Sequence, residues 1–136
     1  MVYVDSNVFV YAVTHDPGRS LKADRAVRIL REVDEGKKKG VTSFLTWDEV
    51  AWVVCKLKGR EAGVKAGSAL LKLKNFSLLP VSAAVMVRAQ QLLERYELKP
   101  RDAIHVSSAL LAADKEMVSD DSELDTVREI TRLPLN

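Results

Sequence analysis

Two kinds of hydrophobic pattern alternate along the chain. Short continuous apolar runs read as buried strands, and longer stretches with apolar residues every three or four positions read as helices. Val2, Tyr3 and Val4 form the first run, which stops at Asp5. Ser6 and Asn7 are capping types, and Val8 to Tyr11 resume the apolar character as a helix. His15-Asp16-Pro17-Gly18 is a turn. Ser20 is placed to cap a helix over 21–35, where Ala23, Ala26, Val27, Leu30 and Val33 share one face. Gly36 ends it, and Lys37 to Lys39 form a solvated loop. A strand is predicted over 40–44, then a helix over 47–57 capped by Thr46 or Ser43. Its apolar stripe is Val50, Val53, Val54 and Leu57, with Glu49 on the border. Gly59 separates this helix from another over 60–74, with Val64, Leu70, Leu71 and Leu73 as its apolar positions. A strand over 76–81 leads through Ser82 to a helix ending near Tyr96. Lys99-Pro100-Arg101-Asp102 opens a helix that is apolar or small nearly all round and therefore buried. A strand over 116–119 ends in Ser119, Asp120 and Asp121. A short turn or helix over 122–127 and a last strand over 130–133 complete the chain.

The order is β-α-α-β-α-α-β-α-α-β-α-β. Strands separated by helical crossovers imply a parallel sheet, so the expected fold is α/β, three-layer α/β/α, with helices on both faces of a central parallel sheet. With 136 residues, the length favours a single domain over 1–136. Hydrophobic residues make up 47% and charged residues 29%, an ordinary globular balance. The net charge of +2 permits nucleic-acid binding without arguing for it. A single cysteine, Cys55, excludes an internal disulfide and a cysteine metal cluster, and reads as packing. Asp5 interrupts any signal-peptide pattern, and no apolar run approaches a membrane span, so a cytoplasmic protein with no membrane association is expected.

Chemistry enters with the acids. Asp5 ends the first strand, and Asp120 and Asp121 follow the fourth. Glu49 and Asp102 lie near the starts of two helices. Strand C-termini in a parallel sheet lie on one edge, where ligands bind. Two carboxylates about 4 Å apart repel by roughly 4 kcal/mol at an effective dielectric near 20. A convergent set therefore needs a cation or protonation, and an oxygen-only set suits Mg²⁺ or Mn²⁺. Alone, Asp5 could simply cap the helix. Ser6 and Asn7 are caps or holders of metal waters, with both readings open. His105, one turn after Asp102, could touch the site, with a satisfied helix histidine as the favoured reading.

Four pieces, VDSNVFVY, TSFLTWDEVAWVV, LKPRDAIHVSSAL and MVSDDSELDTV, occur in this order and span nearly the whole chain. Together they resemble the PIN-domain ribonucleases, in particular the VapC-type toxins of toxin–antitoxin systems. The resemblance implies a parallel-sheet α/β/α fold and a metal-dependent endoribonuclease that hydrolyses RNA phosphodiester bonds by metal-activated water. It also implies a Mg²⁺ or Mn²⁺ cofactor, a homodimer and a small antitoxin protein as partner. Carried over position by position, Asp5, Glu49, Asp102 and Asp121 are the catalytic and metal-binding acids. Glu49 either ligates metal or orients water. Asp121 is preferred to Asp120 because Ser119, Asp121 and Leu124 match the family's spacing, with Ser119 standing for the usual threonine. Ser6, Asn7, Ser119 and Asp120 are supporting residues. Lys56, Lys58, Arg60 and Arg101 are candidate contacts to the RNA backbone, although a solvated face accounts for them as well. The competing readings are a PIN-fold RNA-processing nuclease outside a toxin–antitoxin system and a catalytically idle interaction module.

Overall fold

A computed structural model describes residues 1–136. Five strands form one parallel sheet: β1 (Val2–Val4), β2 (Gly40–Ser43), β3 (Phe76–Leu79), β4 (Glu116–Val118) and β5 (Thr131–Leu133), in the spatial order β3-β2-β1-β4-β5. Six helices connect them: α1 (Ser6–Thr14), α2 (Leu21–Asp34), α3 (Phe44–Lys58), α4 (Arg60–Leu71), α5 (Ala83–Arg95) and α6 (Pro100–Leu111). A 3₁₀ turn, Ser122–Thr126, lies between β4 and β5.

The strand order explains the layers. From β1 to β3 the chain moves in one direction across the sheet, and right-handed crossovers put α1 to α4 on one face. The connection from β3 to β4 reverses direction, which puts α5 and α6 on the other face. The two buried clusters follow this division. Val2, Val4 and Val118 pack with Val8, Phe9, Ala26, Val50, Val54 and Leu70. Tyr3, Val41 and Met117 pack with Ala89, Leu92, Ala103, Val106 and Ala109. Successive side chains of β1 and β4 thus enter opposite cores, as strand geometry requires. Fully burying one Val or Leu side chain stabilises a fold by about 1.5–3 kcal/mol, so these two clusters hold the sheet edge rigid.

The expected element order and layering hold, and element ends differ by a few residues. The third helix starts at Phe44 because Ser43, the last strand residue, caps it: the Leu45 N–H donates to Ser43 Oγ at 3.0 Å. Asp5, rather than Ser6 or Asn7, is the N-cap of α1, accepting from the Ser6 N–H at 2.7 Å. Leu57, Val64 and Leu71, expected on buried stripes, are 62%, 56% and 52% exposed. The face that α4 buries consists of Gly63, Gly67 and Leu70. The two glycines let α4 approach α3 closely, since a Cβ on Gly63 would lie 2.0 Å from Cys55 Sγ. No helix is long and apolar enough to cross a membrane.

Candidate active site

The strand order reverses between β1 and β4. Crevices beyond the C-terminal ends of strands at such a switch point are where open α/β sheets bind ligands. The chain places Asp5 directly after β1, and Ser119, Asp120 and Asp121 directly after β4.

Asp5 is buried, at 3% exposure, and hydrogen bonds satisfy both of its oxygens. Oδ1 accepts from the Ser6 N–H at 2.7 Å and Oδ2 from Ser119 Oγ at 2.7 Å. Ser119 Oγ in turn accepts from Asn7 Nδ2 at 3.2 Å and from the Asp121 N–H at 3.1 Å. Asn7 Oδ1 accepts from the Asp120 N–H at 3.2 Å. Ser119 and Asn7 therefore tie the two strand ends together. Ser6 adds a longer contact from its hydroxyl to Asp5 Oδ1, at 3.4 Å.

The other acids arrive from two helices and the 3₁₀ turn. Glu49 on α3, Asp102 on α6 and Asp121 line one open cleft of about 530 Å³, together with Lys99, Pro100 and Arg101. Asp102, Asp121 and Glu123 each offer a carboxylate oxygen, and these oxygens lie within 4.8 Å of one another. Glu123 was not anticipated. It sits two residues beyond Asp121, in the turn that Asp121 caps by accepting the Glu123 N–H at 2.9 Å. Asp120 takes a different course. Its carboxylate forms an ion pair with Lys22 at 3.0 Å and accepts from Tyr11 Oη at 3.1 Å.

His105 is 1% exposed and joins the two sides of the site. Its Nε2 lies 2.5 Å from Glu49 Oε1 and 3.6 Å from Asp5 Oδ1, and its Nδ1 lies 2.7 Å from Tyr3 Oη. The histidine is satisfied, and its partner is a site acid, so both readings of its position one turn after Asp102 on α6 hold together.

Lys56 and Lys58 stand in the last turn of α3, and Arg60 opens α4. Lys58 is nine positions after Glu49, which is roughly 14 Å along the helix. None of these three lines the cleft, whereas Arg101 does, and so does Lys99, which sequence reasoning missed.

The electrostatics reflect crowding of like charge. Burial first, then the charges of Asp5 and Asp121, pushes the Asp102 carboxyl up to about 7 from 3.8. Burial disfavours a charged His105 imidazole, but the Asp5 charge and the bond to Glu49 outweigh it and raise its pKa. Burial and the Asp5 charge raise the Tyr3 phenol well above its ordinary value, so it remains a neutral hydroxyl. A small divalent cation fits this donor set. The oxygens are hard ligands, and a positive charge beside Asp102 would relieve the repulsion that keeps its proton on.

A parallel α/β sheet with carboxylates gathered at its switch point defines an acidic-edge class of α/β protein. The chain belongs to the PIN-domain family, whose model matches residues 2–130. No curated protein sequence matches it. Among solved structures it is similar to VapBC2 from Rickettsia felis bound to a promoter DNA fragment, with a TM-score of 0.75 at 16% identity over 98% of each chain. It is also similar to VapC20 of Mycobacterium tuberculosis, described as a sarcin-ricin loop cleaving toxin, with a TM-score of 0.76 at 15% identity over 94% of this chain and 95% of that one. A toxin–antitoxin complex from Klebsiella pneumoniae matches with a TM-score of 0.70 at 18% identity over 96% of both chains. At these identities the likeness is one of fold.

Proposed function

We propose that residues 1–136 form a single metal-dependent endoribonuclease domain, the toxin component of a toxin–antitoxin pair. The observation that carries this reading is the convergence of the Asp102, Asp121 and Glu123 carboxylates, two of which, Asp102 and Asp121, line one cleft with Glu49. Asp5 underlies it, bonded to Ser119. Membership of the PIN-domain family supports it, as does the fold shared with a toxin described as cleaving the sarcin-ricin loop. The toxin–antitoxin complexes of the same fold support a small antitoxin as partner.

Asp102 and Asp121, with Asp5 behind them, would hold Mg²⁺ or Mn²⁺, and Glu49 would either join them or orient the attacking water. Such a cation, when bound, stabilises the charge that develops on a phosphodiester in cleavage and acidifies water. The chain's own residues do the rest. Arg101 and Lys99, which line the cleft at the start of α6, would contact the phosphate backbone of a strand lying across the carboxylates. Lys56, Lys58 and Arg60 would contact only an RNA long enough to follow α3. Ser119, Ser6 and Asn7 fix Asp5 and the β4 end, and Asp120 anchors that end to α2 through Lys22. Exposed apolar side chains, among them Trp52 at 61% and Leu71 at 52%, leave surface for a second copy of the chain or for the antitoxin.

The test is RNA cleavage by the purified protein in Mg²⁺ and in Mn²⁺, with a chelator control and with Asp5→Asn. The reading requires activity that the chelator abolishes and that Asp5→Asn removes. Cleavage that survives both would refute it.

A further inference from the structure

Glu49 has the longest reach of the cleft's acids from its helix, and one hydrogen-bond partner. It projects from the second turn of α3 with three rotatable side-chain bonds, and His105 Nε2 is the group that holds it. We propose that His105 is a positioning residue for Glu49, with Tyr3 setting the orientation of its ring, so that the carboxylate is aimed into the cleft before any ligand arrives. This role rests on the nuclease reading above, because it says what the aimed Glu49 is for.

The assignment follows from what each atom can donate. Glu49 Oε1 and Asp5 Oδ1 flank Nε2 at 2.5 and 3.6 Å, and carboxylates beside a neutral or charged imidazole act as acceptors. Nε2 therefore carries a proton in both forms of the ring. On the neutral ring Nδ1 must then accept, and Tyr3 Oη, 2.7 Å away, is the hydroxyl that donates to it. Tyr3 is itself fixed: it is fully buried, and its strand is hydrogen-bonded on both sides. The ring edges of Tyr3 and His105 meet at 67°, with centroids 5.9 Å apart, so packing as well as hydrogen bonding limits rotation. A chain of contacts thus runs from the central strand of the sheet, through α6, to an acid on α3. It passes within 3.6 Å of Asp5, and Glu49 lines the cleft. Partners of this kind, one step behind a ligating group, typically alter metal affinity or activity by about 10–100-fold when removed.

His105→Gln and His105→Leu separate this role from simple core filling. The Gln side-chain amide N–H reaches close to the position of imidazole Nε2, while Leu fills space and donates nothing. Three readouts apply. Mn²⁺ alone is titrated by calorimetry. RNA cleavage is resolved into kcat and KM. The imidazole signals of histidine-labelled, metal-free protein are followed by NMR. The chain has two histidines and His15 is exposed, which makes the assignment direct. The expected result is a His105 Nε2 proton that is shifted downfield, exchanges slowly and moves in Glu49→Gln. His105→Leu should weaken Mn²⁺ binding or lower kcat by about 10–100-fold with little change in KM, and His105→Gln should recover most of the loss. The inference is overturned if folded His105→Leu binds Mn²⁺ and cleaves like the wild type, if His105→Gln is as defective as His105→Leu, or if the imidazole proton ignores Glu49→Gln. Should His105→Leu fail to fold, the Glu49→Gln response and the His105→Gln kinetics decide. A wild-type protein that gives the imidazole signal and its Glu49 response yet cleaves no RNA refutes the nuclease reading and leaves the positioning of Glu49 standing.

Discussion

Replacing Asp102 by Asn should stabilise the metal-free protein at pH 8 while disabling the site. The Asp102 carboxyl is held at about 7, through burial and the charges of Asp5 and Asp121, where the ordinary value is 3.8. Between those two pH values the folded chain holds a proton that the unfolded chain releases. The stability that protonated Asp102 contributes is therefore full below about pH 4 and is lost as the pH rises through about 7. A sealed group displaced that far would cost roughly 4 kcal/mol once ionised. Asp102 is only half-buried, and solvent screening reduces this to about 2 kcal/mol. A carboxylate in the first turn of α6 also gains about 0.3–1 kcal/mol from the helix dipole, which Asn forfeits. The net expectation is that Asp102→Asn gains about 1–1.5 kcal/mol at pH 8, or roughly 5 °C in melting temperature for a chain of this size. Near pH 4 the gain should vanish. Urea unfolding followed by circular dichroism, with chelator present at both pH values, measures it. Mn²⁺ then supplies a cross-check. A cation at 100 times its Kd stabilises a folded protein by about 2.7 kcal/mol. Wild type should overtake Asp102→Asn once Mn²⁺ is added. If Asp102→Asn is less stable than wild type at pH 8 in chelator, or if the difference is the same at both pH values, the account of the crowded carboxylates is wrong.

Further outcomes follow from single contacts. Asp121→Asn should reduce RNA cleavage by at least about tenfold more than Asp120→Asn in parallel assays, because Lys22 and Tyr11 hold the Asp120 carboxylate. Ser119→Ala should destabilise the fold by about 1–3 kcal/mol in urea titrations, since it strips Asp5 Oδ2 of its donor at 2.7 Å and leaves the Asp121 N–H without its acceptor. Gly63→Ala should cost about 1–3 kcal/mol by the same measure, because the new methyl would lie 2.0 Å from Cys55 Sγ and 3.0 Å from the Ala51 carbonyl oxygen. Its remaining folded fraction should cleave RNA at the wild-type rate, since Gly63 lies at the α3–α4 contact and outside the cleft.

What was legible in the sequence, and what was not, divides along a physical line. Asp5 and Asp121 could be placed at one edge because each follows a strand within three residues, and parallel strands bring their C-termini to the same side. The α4 stripe could not be read correctly. Hydrophobic periodicity marks large side chains, whereas Gly63 and Gly67 are buried because they are small, which turns Val64 and Leu71 outward. Within the site, counting acids did not reveal how each charge is compensated. Asp5 is satisfied by Ser6 and Ser119, Glu49 by His105, and Asp120 by Lys22 and Tyr11. Every one of these pairings except Asp5 with Ser6 joins residues more than fifty positions apart, a relation that no local pattern encodes. Once those partners are assigned, Asp102 is left facing Asp121 and Glu123 with its proton retained near neutral pH. The expected quartet thus resolves into two kinds of acid. Asp5 and Glu49 are held by donors from distant elements, whereas Asp121 accepts from the local Glu123 N–H and, with Asp102, presents the crowded charge that a cation would relieve. Charge compensation, more than the number of acids, is what distinguishes the two halves of the site.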